Sequence, residues 1–144
     1  ANGGVEVSPH LVERIVGGEV QRPKRRRVLS ARTAAQLNAM LRGVVDEGSG
    51  VEAHIPGYRV AGKTGTAAKP DPVHGGYSES RYVASFVGYA PAKNPRFVAL
   101  VTVDEPRGTI WGGTAAAPAF REIAEFALQY FQVPPDVPSE LGTG

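Results

Sequence analysis

Two strongly β-forming runs, joined by a short link, constrain the fold of this chain more than any other feature. The runs are "RYVASFVGYAP" at residues 81–91 and "RFVALVTVDEP" at residues 96–106, and both are rich in the β-branched and aromatic residues that favour strands. The link between them, "AKNP", is short enough for a hairpin. A third segment, "YRVAGKTGTA", enters a strand near Tyr58. Three such strands in succession predict an antiparallel meander.

Two amphipathic helices flank the predicted sheet. Ser30 is a suitable N-cap for the first helix, which is predicted over residues 31–47 and ends at the Gly-Ser-Gly stop of residues 48–50. Pro118 suits the first turn of the second helix. An apolar stripe at helical spacing follows it, made of Phe120, Ile123, Ala124, Ala127 and Phe131. Because this stripe is wide and aromatic, the second helix is predicted to cover one face of the sheet.

The fold class that follows is α+β, an antiparallel sheet of about three main strands covered by a C-terminal helix. With 144 residues, the chain is long enough for one domain with a real core. All the patterned segments fall within residues 1–135, which are predicted to form the domain portion. Residues 136–144 have no packing pattern, so they are predicted to form a flexible tail.

Composition excludes several classes of function. The net charge is only +2, although the pI is about 9.1, so no whole-protein field that would attract nucleic acid is indicated. The absence of cysteine excludes thiol catalysis, disulfides and thiolate metal sites. The three histidines, His10, His54 and His74, lack both metal-ligand spacing and a G-x-S-x-G setting, and they are interpreted as loop or surface residues. No metal and no cofactor are therefore predicted.

One basic cluster interrupts the N-terminal part of the chain. Its members are Arg22, Lys24, Arg25, Arg26 and Arg27. They are interpreted as a solvated loop leading into the first helix, because the stacking aromatic residues that single-strand binders use are not interleaved with them. The alternative is a basic binding module that takes an anionic polymer, whose binding would depend strongly on salt.

The stretch "VAGKTGTAAKPDP" contains the residues best suited to chemistry. Thr64 and Thr66 offer hydroxyl donors to a carboxylate, Lys63 adds a positive charge, and Gly65 lets a ligand approach the backbone. On an edge strand, outward backbone N–H groups also pair with an extended peptide. Alternation along a strand puts Lys63 on one face and both threonines on the other, so strand twist would have to bring them to one cleft.

The chain resembles the class B penicillin-binding proteins, and within them the septal peptidoglycan transpeptidases of bacterial cell division. Lys-Thr-Gly is the third motif of the penicillin-interacting serine enzymes, beside S-x-x-K and S-D-N. The segments that carry the resemblance are "ANGG", "IPGYRVAGKTGTA", "YVASFVGYAP", "FVALVTVDEPR" and "WGGTAAAPAFREIAE". They cover residues 1–135, so the fold is expected to be the C-terminal portion of a penicillin-binding-protein/β-lactamase-like transpeptidase domain.

The resemblance assigns roles to four residues. It implies that Lys63 and Thr66 are catalytic, with Lys63 supplying positive potential in the cleft and the Thr66 N–H serving as an oxyanion-hole donor. It implies that Lys63, Thr64, Gly65 and Thr66 bind the terminal carboxylate of a D-Ala-D-Ala stem peptide or of a β-lactam. It further implies a location on the extracytoplasmic face of the bacterial cytoplasmic membrane, an anchor outside this chain, and division-complex proteins as partners.

The nucleophile of this family is missing from the sequence. The seven serines are Ser8, Ser30, Ser49, Ser78, Ser80, Ser85 and Ser139, and none is followed by lysine three positions later or by asparagine two positions later. The nearest imitation, Ser78 with Arg81, ends in a cation that cannot be deprotonated to act as a base. The chain is therefore expected to be inactive alone and to need the N-terminal part of the domain.

Three alternatives remain open from the sequence. A β-lactamase or β-lactam-sensor relative would share the K-T-G strand and would differ in deacylation. A non-catalytic scaffold of the division complex would lack the serine in the complete protein. The third alternative is the basic binding module described above.

Adjacent acidic residues, Asp104 and Glu105, are not expected to form a catalytic pair, because neighbours on a strand point in opposite directions.

Overall fold

The computed structural model describes residues 1–12, 16–18 and 23–137. These residues form the strands β1 (Val5–Val7), β2 (Arg25–Arg27), β3 (Ala61–Pro70), β4 (Tyr77–Ala90) and β5 (Phe97–Asp104), the helices α1 (Ala31–Asp46), α2 (Gly112–Ala115) and α3 (Ala117–Tyr130), and a 3-10 turn at Val51–Ala53. None of these described helices is long and apolar enough to cross a membrane. β1 and β2 form an antiparallel ribbon, and β3, β4 and β5 form a separate antiparallel sheet in that order. The predicted α+β class and meander are confirmed.

The β3–β4 hairpin is longer than the sequence predicts, and β3 starts slightly later than expected. A loop is predicted over residues 69–80, but β3 continues to Pro70 and β4 starts at Tyr77, which leaves residues 71–76 as the loop. Most of the added strand residues are polar, and Ser80 among them is exposed. Backbone pairing and polar side-chain contacts extend the hairpin there, such as the bond from the Arg81 guanidinium to the Pro70 carbonyl at 3.1 Å. A hydrophobic pattern does not predict such an extension.

The core lies between the sheet and α3. The rings of Phe86 on β4 and Phe120 on α3 lie 4.9 Å apart between centroids, at 58° to each other, and both side chains are fully buried. Such an aromatic pair contributes about 0.5–1.5 kcal/mol beyond the burial of its apolar area. The other large side chains that are fully buried are Leu128, Val45 and Val60. The prediction that the C-terminal helix covers one face of the sheet is therefore confirmed.

Helix α1 packs beside the edge strand β3. Its N-cap is Ser30, whose hydroxyl accepts the backbone N–H of Thr33 at 3.0 Å, as the sequence predicts. Val45 near its C-terminal end is buried in the core, and Leu41 packs against a smaller cluster around Tyr89. Leu37 on the same helix is 41% exposed, so part of the apolar side of α1 faces solvent.

The sheet face opposite α3 carries exposed apolar residues. Val87, Val98 and Leu100 are 41%, 63% and 66% exposed. Val87 is the register partner of both Leu100 and Lys63, so these side chains lie in one row across the three strands. We call the surface formed by Val87, Val98 and Leu100 the open face.

Three residues of the basic cluster form a strand, which corrects the prediction of a loop for them. Strand β2 (Arg25–Arg27) pairs with β1, and its three side chains are exposed. Arg26 forms a salt bridge of 2.9 Å with Glu6 of β1. An exposed ribbon needs only backbone pairing, so both of its faces can be charged. Arg22 lies outside the described residues.

The chain after α3 turns back onto the loop before β3. The Tyr58 hydroxyl donates to the Val133 carbonyl at 2.6 Å, and the Arg59 backbone N–H donates to the Asp136 carboxylate at 2.8 Å. Asp136, which the sequence assigns to a flexible tail, is therefore hydrogen-bonded to the domain. Residues 138–144 lie outside the described residues.

Candidate functional site

The four candidate residues lie on β3, at an edge of the three-stranded sheet. Thr64 is the register partner of Phe86, so its side chain lies on the same face as the core. Thr66 follows two positions later and shares that face. Lys63 and Gly65 are the partners of Val87 and Ser85, which places Lys63 on the open face. The alternation predicted from the sequence is confirmed.

Lys63 reaches around the strand edge to join the two faces. Its Nζ donates to the Thr64 carbonyl at 3.0 Å and to Thr64 Oγ1 at 3.3 Å. The sequence argument requires strand twist to bring the ammonium and the hydroxyl together. The structure achieves this instead with the flexible lysine side chain, whose four-carbon stem is long enough to curl past the backbone.

Thr64 has a second hydroxyl neighbour that sequence reasoning does not identify. The Oγ atoms of Ser49 and Thr64 lie 2.9 Å apart, although the residues are 15 positions apart in the chain. Ser49 follows α1 in the Gly-Ser-Gly segment, which the sequence marks only as a helix stop. A cation and two hydroxyls therefore converge at the edge of β3, an arrangement suited to an anionic ligand.

Thr66 is joined to the loop that precedes α2 rather than to Lys63. Its hydroxyl donates to the Ile110 carbonyl at 3.3 Å and accepts the Gly112 N–H at 3.4 Å. Trp111 between them is 64% exposed. The sequence allows two interpretations of Trp111, as a wall of the substrate groove or as an anchor packed under the last helix. Its exposure beside the site is contrary to the second interpretation.

Helix α2 replaces part of a predicted glycine-rich loop. A side chain at Gly112 would overlap the carbonyl oxygens of Ser85 and Gly65, and one at Gly113 would overlap that of Ser49. The two glycines therefore let α2 pack directly on the backbone of the candidate site. The glycine-rich composition indicates a loop here. The helix forms because of its contact with the sheet, which the composition does not reveal.

The acidic pair at the end of β5 converges on one lysine. Lys69 Nζ lies 2.9 Å from Asp104 and 2.8 Å from Glu105. The strand argument fails for Glu105 because it lies beyond β5 with a φ of 48°. The hydrogen bond to Glu105, followed by that to Asp104, raises the pKa of Lys69 above its ordinary value. Both carboxylates are thus held in an ion cluster.

The three histidines and Ser78, the remaining candidates from the sequence, do not form a catalytic arrangement. His10, His54 and His74 are exposed, as predicted. Ser78 Oγ accepts the backbone N–H of Arg81 at 3.0 Å, so it fixes the start of β4 instead of pairing with a base. Across residues 1–12, 16–18 and 23–137, no three histidine or acidic side chains cluster as metal ligands would.

Comparisons with known proteins give this geometry a context. Residues 1–125 match the family described as "Penicillin binding protein transpeptidase domain". Over 93% of its length the chain is 39% identical to penicillin-binding protein PbpB of Mycolicibacterium smegmatis and 38% identical to stage V sporulation protein D of Bacillus subtilis. It is also similar to a crystal structure of penicillin-binding protein 3 from Mycobacterium tuberculosis complexed with ampicillin, with a TM-score of 0.83, 37% identity and 98% of the chain covered.

The matched proteins are much longer than this chain. The chain spans 23% and 22% of the two curated relatives and 34% of the solved chain. The K-T-G strand and its surroundings are therefore one part of what those proteins contain.

Proposed function

Because this chain belongs to the penicillin-binding protein transpeptidase family, we propose that it supplies the K-T-G strand of a peptidoglycan D,D-transpeptidase. The observation that carries the proposal is the convergence of the Lys63 ammonium with the Thr64 hydroxyl at the open edge of β3. A cation beside a hydroxyl on an edge strand suits the terminal carboxylate of an extended peptide.

The reaction is serine acyl transfer, and this chain provides binding groups for it. A serine from the N-terminal part of the domain attacks the carbonyl of the D-Ala-D-Ala bond, an ester forms, and the terminal D-Ala leaves. An amine of a second stem peptide then attacks the ester, the cross-link forms, and the serine is released. With a β-lactam, the ring C–N bond breaks and the ester persists.

Four residues of β3 have roles in this proposal. Lys63, Thr64 and Thr66 bind the carboxylate of the stem peptide or the β-lactam. The Thr66 N–H stabilises the oxyanion that develops on the attacked carbonyl. Gly65 keeps the strand accessible to the ligand backbone. The Lys63 side chain starts on the open face, and its ammonium lies at the strand edge beside the Thr64 hydroxyl.

The partner proposed for the open face is the remainder of the transpeptidase domain. Exposed apolar surface of this kind marks an interface, and the relatives are long enough to supply the covering segment. Because Lys63 and Val87 lie in one row, a segment packed on the open face would bring its nucleophile to the lysine.

The same family membership supports a proposed location and setting. We place the protein on the extracytoplasmic face of the bacterial cytoplasmic membrane, anchored by a part outside this chain, with division-complex proteins as partners. Two observations support this setting: the similarity to a sporulation protein and the similarity to a protein solved with ampicillin.

Fluorescent penicillin labelling of the full-length protein tests the function. Lys63→Ala and Thr66→Val are each expected to slow labelling about 10- to 100-fold, since each removes a hydrogen bond to a charged group. Lys93→Ala, at an exposed lysine in the β4–β5 link, is the matched control and should label at the normal rate.

The lifetime of the labelled protein separates the alternatives. A long-lived ester is expected for a transpeptidase, whereas rapid hydrolysis would identify a β-lactamase. Absence of labelling in a folded full-length protein would favour the non-catalytic scaffold. Unchanged labelling of both Lys63→Ala and Thr66→Val would contradict the proposed site.

A further inference from the structure

Ser49 is the only residue outside β3 whose side chain joins the Lys63–Thr64 pair in the described part of the chain. Its Oγ lies 2.9 Å from Thr64 Oγ1, which in turn accepts a hydrogen bond from Lys63 Nζ at 3.3 Å. The three groups form a continuous chain from the turn after α1 to the edge of the sheet. Neither the K-T-G motif nor the family comparison assigns Ser49 a role.

The chemistry of the three groups fixes the direction of the hydrogen bond from Lys63, whereas either hydroxyl can donate in the bond between Ser49 and Thr64. An ammonium only donates, so Lys63 occupies one of the two lone pairs of Thr64 Oγ1. When Ser49 donates, it occupies the second lone pair. The Thr64 proton then has no acceptor within this chain of groups and points away from it, available to an anionic ligand. In this arrangement, with Ser49 as the donor, Thr64 is left as a hydrogen-bond donor to the ligand.

The backbone around Ser49 is held from two sides. Gly50 donates its N–H to the Val44 carbonyl at 2.8 Å, which ties the turn to the end of α1. On the other side, α2 packs so closely that a side chain at Gly113 would overlap the Ser49 carbonyl oxygen. Ser49 is therefore fixed relative to β3, as a positioning group must be.

We propose that Ser49 is a positioning residue that fixes the rotamer and the proton of the Thr64 hydroxyl, so that Thr64 donates to the carboxylate of the ligand. The inference rests on the proposed function for the identity of the ligand. The orientation of Thr64 itself is a property of this chain and can be measured without any ligand.

The first test measures the χ1 angle of Thr64 in this chain by three-bond couplings from its methyl carbon. A single rotamer is expected in the wild type, averaged couplings in Ser49→Ala, and a restored single rotamer in Ser49→Thr, which keeps the hydroxyl. Unchanged couplings in Ser49→Ala would overturn the proposal. This result does not depend on transpeptidation, so it stands or falls separately from the proposed function.

The second test uses the full-length protein with a penicillin and with its methyl ester, in which the carboxylate is no longer an anion. Ser49→Ala is expected to slow acylation by the free acid about tenfold, through loss of an oriented charge-assisted hydrogen bond, and to leave acylation by the ester unchanged. Ser49→Thr should restore the rate with the acid. Equal slowing with acid and ester would show a merely structural role and overturn the proposal.

A matched serine and a stability measurement accompany both tests. Ser80→Ala removes an exposed hydroxyl from the start of β4 and should change neither the Thr64 couplings nor the acid-to-ester ratio. The unfolding midpoint of Ser49→Ala is expected to stay close to that of the wild type, because Ser49 is exposed. If the wild-type protein fails to react with penicillin, the proposed function is rejected. The Thr64 coupling measurement would still test the role of Ser49.

Discussion

Gly112 shows how one absent side chain supports the candidate site. Its backbone N–H donates to Thr66 Oγ1 at 3.4 Å, and a Cβ there would overlap backbone carbonyl oxygens of both β3 and β4. Backbone atoms on a paired strand cannot move aside as a flexible side chain can. The close approach of α2 to Thr66 therefore requires glycine at this position.

Gly112→Ala is expected to destabilise the chain, whereas Gly43→Ala is expected to stabilise it. The first substitution overpacks the contact between α2 and the sheet, which costs about 1–3 kcal/mol. The second adds a methyl group within α1, where a Cβ would meet nothing within 4 Å, and improves helix propensity by about 0.5–1 kcal/mol. Urea unfolding measures both changes, and effects of the same sign would contradict the packing argument.

The contribution of Asp71 to the stability of the fold, through the β3–β4 hairpin loop, depends on pH in the acidic range. The Val73 N–H donates to its carboxylate at 2.9 Å. This backbone hydrogen bond, then those from the side chain and backbone of His74, lower the pKa of Asp71 from its ordinary value of 3.8. When a carboxyl has a lower pKa in the folded state than in the unfolded state, it stabilises the fold at pH values above its unfolded-state pKa. That contribution is lost as the pH falls through the folded-state value.

The amide chemical shift of Val73 is expected to report this loss. The change caused by protonation of Asp71 should come at a pH below the ordinary range of aspartate. In Asp71→Asn, which keeps an acceptor oxygen but does not titrate, the change should be absent. The assigned hydrogen bonds would be contradicted if the transition that Asp71→Asn removes lay at or above the ordinary pKa of aspartate in the wild type.

Among the elements, β3 is connected to the far edge of the sheet by a side chain as well as by β4. Lys69 reaches across β4 to Asp104 at the end of β5 and to Glu105 beyond it. Its raised pKa means that the ion cluster stabilises the fold below the ordinary lysine pKa. The contribution is lost as the pH rises through the raised value. The cluster thus fixes the end of β5, from which the chain continues to α2.

Lys69→Met is expected to lower the thermal unfolding midpoint at low salt. The difference from the wild type should shrink at high salt, because ions in solution screen partly exposed charges. Lys93→Met, at an exposed lysine between β4 and β5, is the matched control and should leave the midpoint nearly unchanged. A Lys69→Met effect independent of salt would indicate lost packing of the lysine stem in place of the ion cluster.

Sequence reasoning works best for elements that bury an apolar pattern. The central strands, α1 and α3 follow from such patterns, and the family resemblance is confirmed by the match over residues 1–125. The apolar pattern does not predict elements that form through backbone pairing or tertiary contact, such as β2 (Arg25–Arg27) and α2 (Gly112–Ala115). In the candidate site, the K-T-G motif is enough to propose Lys63 from the sequence. The contact between Ser49 and Thr64 could not be predicted, because the fold alone brings these two residues together.

At the scale of the whole molecule, the two faces of the sheet are unequally covered. α3 buries the face that carries Phe86, whereas Val98 and Leu100 on the other face are 63% and 66% exposed. The chain spans 34% of the similar solved structure. The covering segment proposed above would account both for the open face and for the lack of an S-x-x-K serine in this sequence.

The last prediction concerns the chain with and without that segment. Fluorescent penicillin should not label the isolated chain, because no serine in it has the S-x-x-K spacing that provides an activated nucleophile. Adding the separately produced N-terminal part of the domain should restore labelling. Leu100→Glu should prevent that restoration, since it places a charge in the apolar interface.

The same substitution should leave the isolated chain almost as stable as the wild type, because an exposed position tolerates change within about 0.5 kcal/mol. Val73→Glu, at a hairpin-loop residue that is 79% exposed, is the matched control and should not affect restoration. Covalent labelling of the isolated chain would contradict the absence of a nucleophile. Normal restoration with Leu100→Glu would contradict docking on the open face while leaving the assignment of the K-T-G strand intact, since that assignment rests on the motif and on the family match.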